Sequence, residues 1–295
     1  MEYLIPIEEF FDAYFECRKR KRKTYNAAAF EVDYNSKLIE LWREVNEYRY
    51  EIGKSICFIV THPKLREVFA ADFRDRIIHH LVMRKLEPLF ETVFIEDTYS
   101  CRKGKGTLYG VQRLYEKLED KTDGWKKDCF VGKFDMKGFF MSINKQKLCD
   151  MVLKFIDNRY FEKDKDLLKW LCSKIILHKP QYNCERQGRI GLWDKLDKSK
   201  SLFTCGDGFG LPIGNLTSQI FANFYLSSFD DKVSEIFNGY YGRYVDDFYV
   251  VAQNRKVLFQ IRDKAKEYIS KIQQVSKIIA EVDMLLSFSV VSGIL

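Results

Sequence analysis

Two adjacent carboxylates, Asp246 and Asp247, lie between apolar strand-forming runs in YYGRYVDDFYVVA, residues 240–252. A buried strand rarely holds two anions, because an unpaired buried charge is costly. At a hairpin tip the pair can project from the rim of a sheet and take a cation there, and such hard oxygen ligands suit Mg2+. The bland alternative is a plain Asp-Asp turn, since Asp is common in turns. A third carboxylate, Asp135, ends the apolar run CFVGKF (129–134) and precedes Met136-Lys137-Gly138-Phe139-Phe140. Alone it could equally be a strand-ending Asp that caps a helix. If the two strands are neighbours in one sheet, Asp135 comes within a metal's reach of Asp246. Three carboxylates can hold two Mg2+ ions about 3.5–4 Å apart. One ion then sharpens a hydroxyl nucleophile, and the other binds a triphosphate and stabilises its leaving group. Such catalysis is positioning plus charge neutralisation. The same carboxylates would also serve a metal-dependent nuclease on an unrelated fold.

A third segment, Gly210-Leu211-Pro212-Ile213-Gly214-Asn215-Leu216-Thr217-Ser218-Gln219, reads as a glycine-containing turn running into a helix, with Asn215 as N-cap. Small residues there allow close backbone approach to a substrate.

The surrounding pattern supplies elements to position these residues. Helical spacing marks residues 3–23, 34–50, 73–90 (closed by Pro88), 107–119, 145–156, 164–177, 216–233 and about 254–282. The runs 56–60 and 66–70 flank His62-Pro63-Lys64 and read as a strand pair. Residues 129–134 read as a buried strand, and 240–252 as two strands joined at Asp246-Asp247. Residues 179–210 are a polar strand-and-loop excursion, and the tail MLLSFSVVSGIL is apolar.

With 46% hydrophobic residues in 295, a sizeable core can be buried. Aromatic residues, at 15%, read first as core, with any surplus suited to stacking on bases. The net charge of +7 is a weak pointer to a polyanionic partner. Its distribution says more: Arg18–Lys23 is RKRKRK, and Arg102, Lys103 and Lys105 lie in RKGKG, runs suited to phosphate contacts or to a solvated helix face. Eight cysteines form no CxxC pair, and Cys172, His178, Cys184 and Cys205 match no zinc spacing, so reduced cytoplasmic thiols are expected. The start, MEYLIPIEEFFDAYF, lacks the cationic front of a signal peptide, and no apolar run approaches the roughly 20 residues that span a bilayer. A soluble, cytoplasmic protein with no membrane partner is therefore expected.

Taken together, FDMKGFF, LPIGNLTSQ and YVDD resemble, in order and separation, the palm motifs of reverse transcriptases; upstream, RDRIIHH and YSCRKGKGT resemble the finger motifs of the bacterial enzymes. The resemblance covers roughly residues 15–255. It implies an α/β right-hand polymerase: fingers over 1–125, and over 126–285 a palm with a small antiparallel sheet backed by helices. It implies RNA-templated DNA synthesis from dNTPs on a DNA or RNA primer, with two Mg2+ ions for which Mn2+ can substitute. Asp135, Asp246 and Asp247 would bind metal. Phe140 would be the steric gate against a ribose 2′-hydroxyl. Lys64 and Arg66 would meet the incoming triphosphate, with Pro212, Ile213 and Gly214 around the nucleotide. Arg102, Lys103, Lys105, Asn215, Ser218, Gln219 and Tyr244 would contact template or primer.

Within the family the wording is most similar to enzymes of diversity-generating retroelements. Many reverse transcriptases carry Gln where this chain has Ile213, and Pro where it has Gln219. An Ile cannot make the hydrogen bond a Gln makes near the sugar and pairing base, so discrimination resting on that contact weakens. The resemblance thus implies an enzyme that is error-prone at template adenines and works with an accessory protein of the retroelement. Retron and phage-defence reverse transcriptases carry similar motifs, and a palm-fold binder that no longer catalyses is the alternative of another class. After about residue 280 the Lys-bearing strand, primer-grip hairpin and helical thumb of the family are not recognisable. The chain accordingly reads as truncated or altered in frame there, with 286–295 an atypical tail in place of a thumb.

Overall fold

A computed structural model of the protein describes residues 3–19, 24–237, 240–272 and 282–289. In chain order it begins with helices α1 (Ile7–Arg18), α2 (Tyr25–Glu31) and α3 (Tyr34–Asn46), strands β1 (Ser55–Val60) and β2 (Arg66–Ala70), and helix α4 (Phe73–Phe90). Next come α5 (Thr107–Lys121), β3 (Phe130–Met136), α6 (Phe139–Ser142), α7 (Lys145–Arg159), α8 (Lys165–Leu177) and β4 (Cys184–Arg186). The chain continues with α9 (Leu216–Tyr225), α10 (Ser227–Phe237), β5 (Tyr241–Tyr244), β6 (Asp247–Ala252), α11 (Arg255–Ile272) and β7 (Val282–Ser289). These form two compact units that interleave along the chain: residues 1–90 with 143–221, and residues 91–142 with 222–295.

In the first unit β1 pairs antiparallel with β2 and parallel with β4. Its helical part closes on aromatic rings: Tyr14 stacks on Tyr34 at 5.0 Å, and Phe30 packs on Phe73 at 5.3 Å. The polar excursion after β4 is tied down by a buried carboxylate. Glu67 of β2 accepts from Trp193 Nε1 at 2.8 Å, Ser201 Oγ at 2.9 Å and the Leu202 amide at 2.7 Å. Pro88 does not close α4, which runs on to Phe90. The missing N–H removes one bond in the last turn only, and the fully buried Phe90 ring anchors that turn against Phe155 at 5.3 Å and Phe221 at 6.3 Å.

The second unit is built on a four-stranded sheet of order β5-β6-β3-β7, antiparallel throughout. Its inner face carries Phe134, Met136, Phe248, Val250 and Tyr241, all buried. Phe134 stacks on Phe248 at 4.8 Å, and Phe229 of α10 meets Phe248 edge-on at 5.4 Å. Residues 97–99 cover the outer edge of β5 through Arg243 N–H to Asp97 O and Tyr99 N–H to Arg243 O, which blunts an edge that could otherwise recruit another strand.

One expected helix needs correction. The helix expected over 216–233 breaks at Leu226. There the Leu226 amide donates to Asn223 O at 3.2 Å, a three-residue step, and the same carbonyl also faces Arg243 Nη2 at 3.4 Å, while the Phe224 carbonyl accepts the Ser227 hydroxyl. The helix expected over 254–282 is described as far as Ile272, and residues 273–281 lie outside the described residues, as does most of the basic run, 20–23. Within the apolar tail, Val282–Ser289 is a strand that pairs with β3, so this stretch extends the sheet. An alternating apolar segment can satisfy its backbone by adding to a sheet whatever motif it lacks.

Candidate active site

Among the strands, β3 and β6 decide where the carboxylates stand. Side chains alternate across a strand, so burying Gly132, Phe134 and Met136 of β3 sends Lys133 and Asp135 to the other face. The same alternation in β6 sends Asp247 and Tyr249 there. The register puts Asp135 directly opposite Asp247, a cross-strand pair whose Cβ atoms stand about 4.5–5.5 Å apart. Asp246 occupies the hairpin tip, and its carbonyl accepts from the Met136 amide at 3.2 Å, tying the tip to the end of β3. Val245, just before it, holds φ at +58°, a genuine outlier for a β-branched residue and a point of local strain. The Asp-Asp pair is therefore more than a relaxed turn between two strands.

One cation already serves the row. Lys133 Nζ lies 3.2 Å from Asp247 Oδ1, with both side chains about half exposed. Lys133 was missed in the sequence, although its place two residues before Asp135 puts it on the same strand face. Beneath the tip, Arg243 and Asp230 form a fully buried ion pair, also missed, although an arginine inside an apolar strand was a signal. Tyr244 ends β5 opposite Asp247 and is 41% exposed. Asp283 of β7 occupies the register position opposite Asp135 on its other side.

Among the described residues, no set of three or more His, Cys, Asp or Glu side chains is arranged to hold a metal ion by itself. The donor chemistry nonetheless fits Mg2+, which keeps several waters and is bound through one or two carboxylates plus substrate phosphates, not through all-protein cages. Asp135 and Asp247 offer hard oxygens from adjacent strands, with Asp246 beside them.

The remaining residues fall in both units. In the second, Phe140 of α6 is half-buried, its ring 5.8 Å from that of the buried Phe139. Lys103 is exposed. Arg102 is spent internally: Nη2 pairs with Glu91 at 2.7 Å and Nη1 donates to Ile95 O, Thr98 O and Thr98 Oγ1. Lys105 pairs with Glu96 at 3.0 Å. These two cations fold the glycine loop, which leaves Lys103 the most available of the three.

In the first unit, Lys64 lies in the β1–β2 turn and Arg66 opens β2, both exposed. The loop before α9 is laid along β2. The Phe69 amide donates to Ile213 O at 2.8 Å, and the Ala71 amide donates to Asn215 Oδ1 at 3.2 Å. Gly214 sits between these bonds at φ +116°, where an added Cβ would meet Val68 Cγ1 at 2.7 Å and Phe69 O at 3.1 Å. Only glycine fits that backbone and that space. Pro212 and Ile213 are half-buried and Gln219 is exposed. Asn215 and Ser218, expected at a nucleic-acid surface, are 8% and 4% exposed. The loop needs a buried acceptor for Ala71 N–H, and Asn215 supplies it.

Comparison with known proteins follows the same line. The family described as reverse transcriptase (RNA-dependent DNA polymerase) matches residues 62–277, well over half the chain, and its members use divalent metal ions, typically Mg2+. No curated protein is similar enough in sequence to match. Among solved structures, apo telomerase from Candida tropicalis is similar with a TM-score of 0.53 at 13% identity, over 85% of this chain and 48% of that one. A C-terminally truncated form of the same telomerase gives 0.49 at 12% identity, over 80% of this chain and 55% of that one. The chain thus spans about half the length of the solved chains it matches. The first likeness agrees with an α/β polymerase fold. The protein belongs to the reverse transcriptase family.

Proposed function

We propose that the chain catalyses RNA-templated DNA synthesis from dNTPs, extending a DNA or RNA primer with release of pyrophosphate. The observation that carries this reading is the cross-strand placement of Asp135 opposite Asp247, with Asp246 at a strained tip, in a chain of this family. Asp135, Asp246 and Asp247 would hold Mg2+ or Mn2+. When bound, the metal supplies activation of the primer hydroxyl and charge neutralisation on the triphosphate. The chain's own part is positioning. The sheet fixes two carboxylates in one row, Lys133 balances part of their charge, and Phe140, in the first turn of α6, is the proposed gate against a 2′-hydroxyl. Lys64 and Arg66 would meet the triphosphate, and the loop laid on β2 would carry Pro212, Ile213 and Gly214 to the nucleotide. In this reading the palm is the region around β3, β5 and β6, and the fingers are the region around β1 and β2. Template RNA, a retroelement accessory protein and a cytoplasmic setting belong to the same proposal.

Primer extension on an RNA template with dNTPs and Mg2+, beside an Asp246→Ala control, tests it. Extension lost in the control supports the reading; extension that survives in the control, or none in the wild type, overturns it. The finer proposal is an error-prone enzyme of the diversity-generating retroelement type, resting on Ile213, which cannot offer a side-chain hydrogen bond. Ile213→Gln should lower misincorporation opposite template adenine, and an unchanged error spectrum in sequenced cDNA would sink that link.

A further inference from the structure

We propose that Arg243 is the positioning residue of the carboxylate hairpin, clamping the strained Val245 turn from inside the sheet and so fixing where Asp246 and Asp247 stand. This deepens the catalytic reading and rests on it only for its consequence in turnover.

The Val245 turn holds a conformation that a β-branched residue adopts only when its surroundings impose it. The imposing group is the Arg243 guanidinium. Arg243 Nη1 donates to the Val245 carbonyl at 2.7 Å and faces Asn223 Oδ1 at 3.1 Å. Its other edge grips Asp230 with two parallel bonds, Nε to Oδ1 at 2.7 Å and Nη2 to Oδ2 at 2.5 Å. The Tyr241 hydroxyl donates to the same Oδ1 at 2.6 Å, and Asn223 Nδ2 donates to Ser100 O at 2.7 Å. Arg243 is 1% exposed and Asp230 0%.

A buried ion pair is poor evidence for stability, because apolar residues of matched shape often serve the fold as well or better. Such a pair can instead fix a single geometry. Here the fork is locked by Asp230 on one side, which aims the two Nη1 hydrogens at Asn223 Oδ1 and Val245 O. A lysine carries a point charge and cannot hold both edges at once. The guanidinium therefore transfers the rigidity of α10 to the tip between β5 and β6.

The test compares wild type with Arg243→Lys and with the apolar triple variant Arg243→Met, Asp230→Leu, Tyr241→Phe, which leaves no buried charge or Tyr241 hydroxyl without its partner. Three quantities are measured: amide exchange of residues 244–248 against 130–136, primer–template affinity, and kcat and KM for dNTP. In a cooperatively folded triple variant, hairpin exchange should rise about 10-fold or more while β3 keeps its protection. The value of kcat should fall about 10-fold or more, with KM and primer–template affinity within about threefold. Arg243→Lys should loosen the hairpin too, although it keeps the charge. Wild-type hairpin exchange in the folded triple variant overturns the proposal. If that variant does not fold, wild-type exchange in Arg243→Lys overturns it instead. A wild-type chain that makes no product refutes the catalytic reading, and the exchange comparison still decides the clamp.

Discussion

Two glycines separate the energetic terms that hold the loop on β2. Gly104 has φ +75° and nothing within 4 Å of an added Cβ, so Gly104→Ala meets backbone strain alone. That conformation costs an L-residue about 1–2 kcal/mol. Gly214 has φ +116°, and its Cβ would stand 2.7 Å from Val68 Cγ1 and 3.1 Å from the Phe69 carbonyl oxygen. Val68 can shift. Phe69 O cannot shift freely, because the Phe69 amide is bonded to Ile213 O at 2.8 Å. Strain of about 1–3 kcal/mol then adds to overpacking of about 1–3 kcal/mol, partly relieved by movement of Val68. Gly214→Ala should therefore cost about 3 kcal/mol, and Gly104→Ala about 1 kcal/mol. Urea unfolding with m held common to the variants reads both. Equal costs, or a Gly214→Ala cost below about 1 kcal/mol, would refute the claim that the loop is packed on β2 through this glycine.

Lys133→Met should lower the Mg2+ concentration for half-maximal extension by about two- to fivefold, since an exposed ion pair is worth at most about 1 kcal/mol. The difference should shrink in high salt, and a rise in the Mg2+ requirement would instead make Lys133 a contact for substrate. Stability should carry two opposed pH terms. Burial raises Asp75 to about 6, against the donors Tyr50 OH and Gly53 N–H. Its protonated form is favoured by the fold, so its contribution is full below about pH 4 and lost as pH rises through 6, about 3 kcal/mol in all. Burial, helped by Lys145, lowers His178 to about 4. Its contribution is present above about pH 6.5 and lost as pH falls through 4. Unfolding free energy against pH should thus climb from 4 to 6.5 more steeply in Asp75→Asn than in wild type. It should fall over the same window in His178→Phe, and parallel curves would remove both assignments.

The carboxylates were legible because their chemistry contradicts their surroundings: two anions inside YVDDFYVV need a reason, and a sheet rim supplies one. The strand pair 56–60 and 66–70 was legible because two short apolar runs flank a turn at His62-Pro63-Lys64. What stayed hidden was decided by distant partners. Pro88 reads as a helix stop until Phe90 is seen packed on Phe155 and Phe221. Leu226 reads as mid-helix until its amide is seen in a three-residue step to Asn223 O, with Arg243 Nη2 at the same carbonyl. Asn215 reads as a surface cap until β2 presents an amide for it to satisfy.

The site and the core of the second unit are two faces of a single register. Phe134 stacks on Phe248 in the row next to Asp135 and Asp247. A slip of one residue between β3 and β6 would turn Phe134 to solvent and bury Asp135. The penalty for that slip is the lost aromatic burial plus an unpaired carboxylate in an apolar core, each several times thermal energy. The carboxylate row therefore needs no metal to find its place. Hydrophobic selection of the inner face decides which side of the sheet it takes, the pairing of β3 with β6 sets Asp135 opposite Asp247, and the buried Arg243 fork, which also points inward, trims the one part that strand pairing leaves free, the Val245 turn at the tip.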